Sequence, residues 1–571
     1  MKGSAQRFTA FFMAVGLCSS TSLAAPPPVV TPPPPVTPGQ VQSTLPTQTP
    51  QPKPAQAAPL GSAAANPQGV PPGGPSVTVR GFEIEGNTAI STGELQAQIA
   101  SYVGKSMTLL ELYDVTDVLT RYYRAKGYGL ASVSLPAQTL SGGTVHLQVI
   151  EGRIGKVNIQ GNTRTRDTVL QKRVAGLKSG DLYTDAAAER AVLLLNDLPG
   201  MGARAVLSPG ADFGTSDILF NVDENQYAGD ASIDNYGRSV IGRWRVSADF
   251  YDNSLTDYGD QLSAGITHSD GNRLNFGKLA YALPVGPVGG TLTSSYNRAE
   301  YHGVFTAVGQ TGPGLPFSGS TQNAGVSWQY PQTRSTEQSF YWNAGVSWDN
   351  SRSLAGSGSA ATNSLTTNIL LLQVGMFYAH TYGDQSVLTV AGNLWTNGKQ
   401  YSHSTSLNNV STERARGELD SAWQHPFAGN WAWVNQLNLS YSVNPLTDAD
   451  KFNLGGPGSV LGYQSAEQRG DSGYFASSEV QRYFSWGPQP LAWGVFLDTG
   501  KVWDKAGSTI SNGGSQGSDT SRSISSGGLD LQLLPSTYKL NARLQWAWSI
   551  GRKPTDGDGG GHIWFTMGTS F

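Results

Sequence analysis

Apolar and polar side chains take turns along the carboxyl-terminal half of this chain. In Leu540–Ile550 one set is Leu540, Ala542, Leu544, Trp546, Trp548 and Ile550, and the other includes Asn541, Arg543, Gln545 and Ser549. Trp433–Val443 sets Trp433, Leu437, Leu439, Tyr441 and Val443 against Gln436, Asn438, Ser440 and Ser442. Trp244–Phe250 repeats the pattern, with Arg245, Ser247 and Asp249 on the polar side. A period of two predicts strands whose two faces meet different surroundings. A soluble sandwich buries its apolar face against a second sheet and seldom carries charge so regularly on the other. Apolar outside, polar inside and aromatics near the strand ends is the pattern of a barrel in lipid, which must close because an open sheet edge is unsatisfied there. At roughly twenty residues per strand and loop, residues 226–571 make about sixteen strands. The last strand puts Ile563, Phe565, Met567, Thr569 and Phe571 on one face, and Phe571 ends the sequence.

The preceding part reads differently. Phe82-Glu-Ile-Glu-Gly-Asn-Thr88 returns as Val157-Asn-Ile-Gln-Gly-Asn-Thr163. Each copy is an alternating strand that ends in a Gly-Asn turn. In the first unit, Ser91 and Glu94 have capping-box spacing. Leu95, Ile99 and Val103 predict a helix, and Leu109, Leu112, Val115, Leu119 and Tyr122 a second. Gly127 stops it, and Leu130–Leu135 and Val145–Ile150 are strands. The second unit repeats the order β-α-α-β-β: Val157–Gln160, Thr165–Val174, Thr184–Leu198, Ala203–Leu207 and Ile218–Val222. Two small α+β domains are therefore expected, over 76–152 and 153–225.

Composition adds a compartment. Lys2 and Arg7, the apolar run Phe8–Leu17 and the small-x-small site Ser22-Leu23-Ala24 predict a signal peptide over 1–24. Cys18 is the only cysteine, and Leu17 before it is wrong for lipidation, so no disulfide or thiol chemistry is expected in the mature chain. Residues 25–75, with Pro32 to Pro35 in a row, form a Pro-rich disordered tether. Net charge is −3, which gives no basic field for nucleic acid. Only 14% of residues are charged, 10% are aromatic and glycine numbers 70, which suits a mainly β protein with many turns.

The repeated units, with their Gly-Asn turns, resemble POTRA domains, and tandem POTRAs before a barrel resemble the two-partner secretion outer-membrane transporters (TpsB type, the haemolysin/haemagglutinin secretion-activation family). Phe571 on an alternating strand resembles the assembly signal of bacterial outer-membrane barrels. Asp234-Asn-Tyr-Gly237, Gly242 and Gly259-Asp260 resemble the start of such a barrel, and Ala428-Gly429-Asn430 a short periplasmic turn. Leu454–Tyr463 resembles a long loop that folds into the lumen, with Val460, Leu461, Gly462 and Tyr463 at its tip and Arg469, Gly470 and Asp471, then Glu479, trailing. Val495–Gly500, with Phe496, Asp498 and Gly500, resembles the inward strand motif. The resemblance implies an Arg at the loop tip, paired with the Asp of that strand. Leu461 stands in that place, so either Arg543 or Arg469 substitutes as the partner of Asp498, or the loop is held more loosely and activity is reduced. The resemblance also allows an N-terminal plug helix, but the tether shows no helical period and none is expected. The client-binding edge is placed at Ala203, Arg204, Ala205, Val206 and Leu207, beside the second helix, where Leu193 and Leu194 read as core.

The implied function is export of a large, β-helical partner protein from the periplasm to the cell surface. Outer-membrane lipid surrounds the barrel, and the barrel-assembly machinery is a partner during biogenesis. The alternatives are a barrel-assembly insertase of the same superfamily and, further off, a passive porin. No catalytic residue, cofactor or metal site is expected. Gly513-Gly-Ser-Gln-Gly517 matches a hydrolase elbow but lacks its strand-turn-helix context, and the seven histidines show no ligand spacing.

Overall fold

The computed structural model describes residues 41, 76–139, 142–305, 314–355, 363–397, 403–405, 414–505, 521–535, 539–557 and 561–571. The signal peptide, the tether apart from Val41, and Gly513–Gly517 lie outside the described residues.

Two similar α+β modules come first. The first is β1 (Gly81–Glu85), α1 (Thr92–Ile99), α2 (Leu109–Ala125), β2 (Ser132–Ser134) and β3 (Thr144–Ile150). The second is β4 (Arg153–Gln160), α3 (Asp167–Arg173), α4 (Asp185–Asn196), β5 (Met201–Pro209) and β6 (Thr215–Glu224). Each sheet has three strands, in the orders β1-β3-β2 and β4-β6-β5, with the first strand parallel to the central one and the other antiparallel. Leu95, Ile99, Leu112, Val115 and Leu119 pack on Phe82, Ile84, Val145 and Leu147 in one core. Leu170, Ala188, Val192 and Leu195 pack on Ile154, Ile218 and Phe220 in the other.

Several local expectations shift. Val77–Thr78 pairs with Ser106–Met107 as a separate two-strand ribbon rather than opening β1. Val103 lies past the end of α1 and is exposed. At Ser91 only half a capping box forms. Its hydroxyl accepts from the Glu94 amide at 3.3 Å, while the Glu94 carboxylate is drawn to Tyr122 and to Lys126 at 3.2 Å. A complete box closes α2 instead, between Thr108 and Glu111.

The repeated Gly-Asn-Thr turn has a physical reason that reaches beyond the repeat itself. Glu151, just after β3, accepts hydrogen bonds from the amides of Thr88 (2.6 Å) and Ala89 (2.7 Å), from the Thr88 hydroxyl, and from Tyr123 (3.0 Å). Glu224, at the end of β6, does the same for the amides of Thr163 (2.9 Å), Arg164 (2.7 Å) and Thr165 (3.0 Å). Each carboxylate thus clasps the turn that follows its module's first strand. Asn87 and Asn162 complete the turns by donating to the carbonyls of Ile90 and Thr165, both at 2.9 Å.

From Tyr227 the chain forms a closed antiparallel barrel of sixteen strands among the described residues, supplemented by the short segment His403–Thr405. The alternation sorts as expected. Val246, Phe250, Leu544, Trp546 and Ile550 are exposed on the outside, whereas Arg245, Ser247, Gln545 and Ala547 are buried. Ala428 and Gly429, with φ of 42° and 82°, form the turn between Arg414–Phe427 and Trp431–Ser442. Closure joins Asp230–Asp234 to Thr566–Ser570. Beyond the ladder, Gly229 and Phe571 exchange backbone bonds at 3.0 and 3.2 Å. Asn235 extends the seam at the other end. Its amide donates to the Phe565 carbonyl (3.1 Å), and its side chain pairs with the Phe565 amide and the Ile563 carbonyl, both at 2.8 Å. Seam closure is the structural role of Asp234-Asn-Tyr-Gly237, where Asp234 also pairs with Arg245 at 2.8 Å.

Val41 departs from the expectation of a featureless tether. It is helical and fully buried against Ile241, Leu274, Phe276, Ala299, Tyr301 and Phe317. Its partners belong to the barrel, so no periodicity within the tether reveals the contact.

The two clasps carry a pH consequence. Burial pushes Glu151 and Glu224 up, but the hydrogen bonds from Thr88, Ala89 and Tyr123, and from Thr163, Arg164 and Thr165, outweigh it and hold both carboxyls below the usual range. The stability they contribute is present above the unfolded glutamate value of about 4.3 and is lost as pH falls through the lower folded value. Glu224→Ala is expected to cost the second module about 1–3 kcal/mol, by leaving turn amides without an acceptor. Amide exchange at Thr163–Thr165 in the full-length protein should then accelerate at pH 7, and its protection relative to the unfolded chain should no longer fall as pH drops through the carboxyl's titration.

Candidate functional site

The second module is fastened to one rim of the barrel by α4 and by residues that flank its two helices. Arg334, almost fully buried at the end of a barrel strand, donates to both carboxylate oxygens of Asp197 through Nε (3.0 Å) and Nη2 (2.8 Å), while its Nη1 donates to the Ser339 hydroxyl at 3.1 Å. Glu189 binds the amide of Thr336 at 2.8 Å, and Arg190 donates to the Pro331 carbonyl at 3.2 Å. Arg166 donates to Tyr258 at 2.7 Å, and Arg164 lies 3.6 Å from Asp257. A buried, bidentate arginine–carboxylate pair fixes direction as well as distance. Leu193 and Leu194 are buried, and Leu194 packs toward the barrel turn at Gly289. Neither faces an open groove.

The docking leaves one edge of the second module open. β6 is central, so β5 has a strand neighbour on one side only. Ala203, Arg204, Ala205, Val206 and Leu207 all lie on it. Ala203, Ala205 and Leu207 turn toward the helices, and Arg204 and Val206 face solvent on the other side. The edge runs from Met201, paired with Glu224 next to the barrel, to Pro209 at the far end.

The second candidate element fills the lumen from the opposite rim. Between the strands Trp431–Ser442 and Ser472–Trp486 the chain dips inward as a narrow hairpin, with Phe452–Leu454 paired to Gln468–Gly470. Gly455 and Gly456 turn it at φ of 105° and 88°, which only glycine adopts readily. Val460, Leu461, Gly462 and Tyr463 at the tip, and Arg469, Gly470 and Asp471 behind it, are all buried. Gly462 presses on the wall so closely that a Cβ there would sit 2.6 Å from Ser526 and 2.8 Å from the Ser549 amide.

Opposite the tip, Gln489–Trp503 turns Phe496, Asp498 and Gly500 inward. Among the described residues no hydrogen bond joins Asp498 to an arginine, and Arg543, one of the two expected substitutes, acts on it only through its charge. Arg543 pairs with Asp530 at 2.7 Å and approaches Glu479 at 3.7 Å, while Arg469 donates to Asn453 at 2.8 Å within the hairpin. Asp498 instead accepts from the hydroxyls of Ser477 (2.7 Å) and Ser526 (3.2 Å) and from the backbone amide of Leu461 (3.2 Å). The short apolar side chain is the reason: it lets the tip backbone itself reach the carboxylate. The Leu461 side chain packs among Phe496, Ala547, Trp564 and Tyr236, and its carbonyl accepts from the Trp564 indole at 2.7 Å. Tyr463, fully buried, donates its hydroxyl to the carbonyl of Arg552, just after the strand Leu540–Ile550, at 2.6 Å.

A further hold at the root of the hairpin was not legible in the sequence. Lys451 is buried between Asp504 (3.0 Å) and Asp471 (3.7 Å), and Arg522 pairs with Asp504 at 2.6 Å. Asp471 also accepts from the amides of Leu446 (2.8 Å) and Lys505 (2.7 Å). These charges come from three separate loops and strands, so no spacing links them. The same holds for the exposed face of the first module, where the parallel register sets His146 3.2 Å from Glu83 and near Glu85. Exposed groups of this kind are common without an ion.

A family profile described as "Haemolysin secretion/activation protein ShlB/FhaC/HecB" matches residues 214–520. A ShlB-type POTRA profile matches 77–152, and a POTRA profile described as a surface antigen variable number repeat matches 152–225. The heme/hemopexin transporter protein HuxB of Haemophilus influenzae (strain 86-028NP) is 25% identical over 415 residues, 70% of each chain. The outer membrane transporter CdiB of Escherichia coli is 22% identical over 420 residues, 71% of this chain and 69% of the relative. The solved structure of CdiB from Escherichia coli shares the fold, with a TM-score of 0.68 at 18% identity, over 90% of this chain and 94% of that one.

Two substitutions test the root and the tip in turn. Lys451→Met leaves Asp471 without its cation and is expected to cost the hairpin about 3–5 kcal/mol. Leu461→Ala opens a cavity at the wall and should cost about 2–5 kcal/mol. Both should raise protease cleavage within 443–471 and conductance in planar bilayers. If Lys451→Met changes neither, the ion cluster does not hold the hairpin.

Proposed function

The chain belongs to the haemolysin secretion/activation protein family ShlB/FhaC/HecB, and on that premise we propose that the open edge of β5 receives an unfolded, secreted partner protein and hands it to the barrel. The protein is an outer-membrane transporter of the two-partner secretion type, with its modules in the periplasm. It exports a partner protein to the cell surface. What carries the reading of the edge is one observation: an unpaired strand edge is fastened through Asp197–Arg334 to the rim of a closed barrel.

Backbone pairing on an edge demands little of a partner's side chains, which suits a long client that arrives extended. A client that folds outside as a β-helix would be unable to return, and that folding supplies the driving force where no nucleotide is at hand. The hairpin 443–471 occupies the lumen and must yield space for passage, while its root cluster keeps it attached to the far rim. The bonds between Phe571 and Gly229 at the seam support a role for Phe571 as the signal that the barrel-assembly machinery reads during biogenesis. Assembly of other barrels as the protein's own activity is not favoured, since the curated relatives are named transporters.

Loss of the gene should remove one large protein from the cell surface and medium, identifiable by comparing the surface proteins of the two strains. Ala205→Pro deletes an edge N–H while keeping the strand extended. Export of that protein should fall about tenfold, equivalent to about 1.4 kcal/mol of pairing, with the barrel still migrating as folded before heating. Undiminished export would place client binding elsewhere.

A further inference from the structure

We propose that Asn196 is a stop on the pairing edge: it occupies the position of Ala203 and confines an incoming strand to Ala205 and Leu207. The inference rests on the reading of β5 as the client edge and adds where pairing begins and ends.

Asn196 is the last residue of α4, and its side-chain amide lies flat against β5. The Ala203 amide donates to Asn196 Oδ1 at 2.7 Å, and Asn196 Nδ2 donates to the Ala203 carbonyl at 3.2 Å. These two bonds are the pair that a neighbouring strand would make. They also reveal the parity of the edge. Along an antiparallel strand, successive residues alternate between bonding the neighbour and pointing away from it. Ala203 points away from β6, so Ala205 and Leu207 do too, and Arg204 and Val206 bond β6. No hydrogen bond from another described segment reaches the outward backbone groups of Ala205 or Leu207. Pro209, the next in the series, has no N–H to offer.

The open edge is thus two residues long, closed by a side chain at one end and by a proline at the other. A partner needs an extended backbone with two alternate residues, each giving and taking one bond. Side chains that enter the cleft beside α4 meet only half-buried Ala205 and Leu207. Small or β-branched residues fit there without a defined sequence.

The closed end is the one beside the barrel. Gly200 accepts from Asn225 at 2.8 Å where the chain passes into the first barrel strand, and Asp197, next to Asn196, holds Arg334. The outward Met201 amide is already taken, donating to the Leu198 carbonyl at 3.2 Å, so Ala203 is the position nearest the rim that a strand could otherwise reach. Pairing that ends at Ala205 leaves the partner's adjoining residues unpaired at the mouth of the lumen, and keeps the hold weak enough to release.

Amide exchange of the full-length protein in detergent micelles, resolved to single amides, tests this. The probe is an acetylated, amidated hexapeptide of alternating threonine and valine, with its backbone N-methylated counterpart as control. In the native protein the peptide should slow exchange at Ala205 and Leu207 and leave Ala203 unchanged. In Asn196→Ala the free protein should exchange Ala203 about tenfold faster, and the peptide should now protect it as well. Asn196→Asp keeps the acceptor for the Ala203 amide and should restore its slow exchange. Unaltered protection at Thr163–Thr165, clasped by Glu224, shows that the module stays folded. If the peptide protects Ala205 and Leu207 alike in both proteins and never Ala203, the stop is overturned and the edge stands. If it protects none of the three, or the N-methylated peptide protects equally, the edge itself falls and the stop with it.

Discussion

Hydrocarbon offers no partner to a peptide group, and that constraint organises most of this molecule. Every strand in the membrane must find two neighbours, so the first and last must find each other. Here the closing ladder is short, Asp230–Asp234 with Thr566–Ser570. It is lengthened by Phe571 at one end and by the side chain of Asn235 at the other. An asparagine amide that bonds both an N–H and a C=O imitates one more residue of strand. Asn196 uses the same imitation in the second module, outside lipid, where it covers an edge instead of extending one.

Closure also creates a polar lumen, and a lumen of sixteen strands must be filled or left open. The hairpin that fills it is held by different physics at its two ends. At the tip, a peptide N–H meets a buried carboxylate and an aliphatic side chain meets aromatic rings. At the root, a buried lysine and an arginine are shared among aspartates. Buried ion pairs are costly to break by removing one partner, whereas a packed leucine resists in proportion to the space it fills. With Leu461 at the tip, the cluster of paired ions sits at the root, and the tip is retained by a peptide N–H on one carboxylate and by apolar packing against the wall. Such a tip can leave the wall while the root stays attached.

The periplasmic arm obeys a different constraint. Small domains have thin cores, and each module adds a carboxylate that gathers the amides of its own turn. Because Glu224 lies at the end of β6, immediately before the first barrel strand, its clasp stiffens the point where arm becomes barrel. Arg334 and Asp197 fix the arm's orientation from a second direction. Two attachments at different places hold β5 at a set angle to the pore, which a flexible linker would not.

The alternation in Leu540–Ile550 and Trp433–Val443 pointed by itself to a barrel, because side chains facing lipid and water leave a period of two, and the polar and charged residues along the second face set it apart from a sandwich. The duplicated Gly-Asn-Thr turn likewise determined two copies of one module, since a local turn is written in local residues. Tertiary structure alone decided the rest. Leu461 in the place of an expected arginine announced that Asp498 lacked its partner, yet the answer was a backbone amide and two serines, Ser477 and Ser526, from separate segments. Backbone groups are the same in every residue, so a sequence cannot say which one a carboxylate will meet. Lys451, Asp471, Asp504 and Arg522 converge only when their loops close over the lumen, and Asn196 covers Ala203 only because a helix end happens to return to a strand edge there. Periodicity records which solvent each side chain faces, whereas the pairing of distant polar groups depends on distances that exist only after folding.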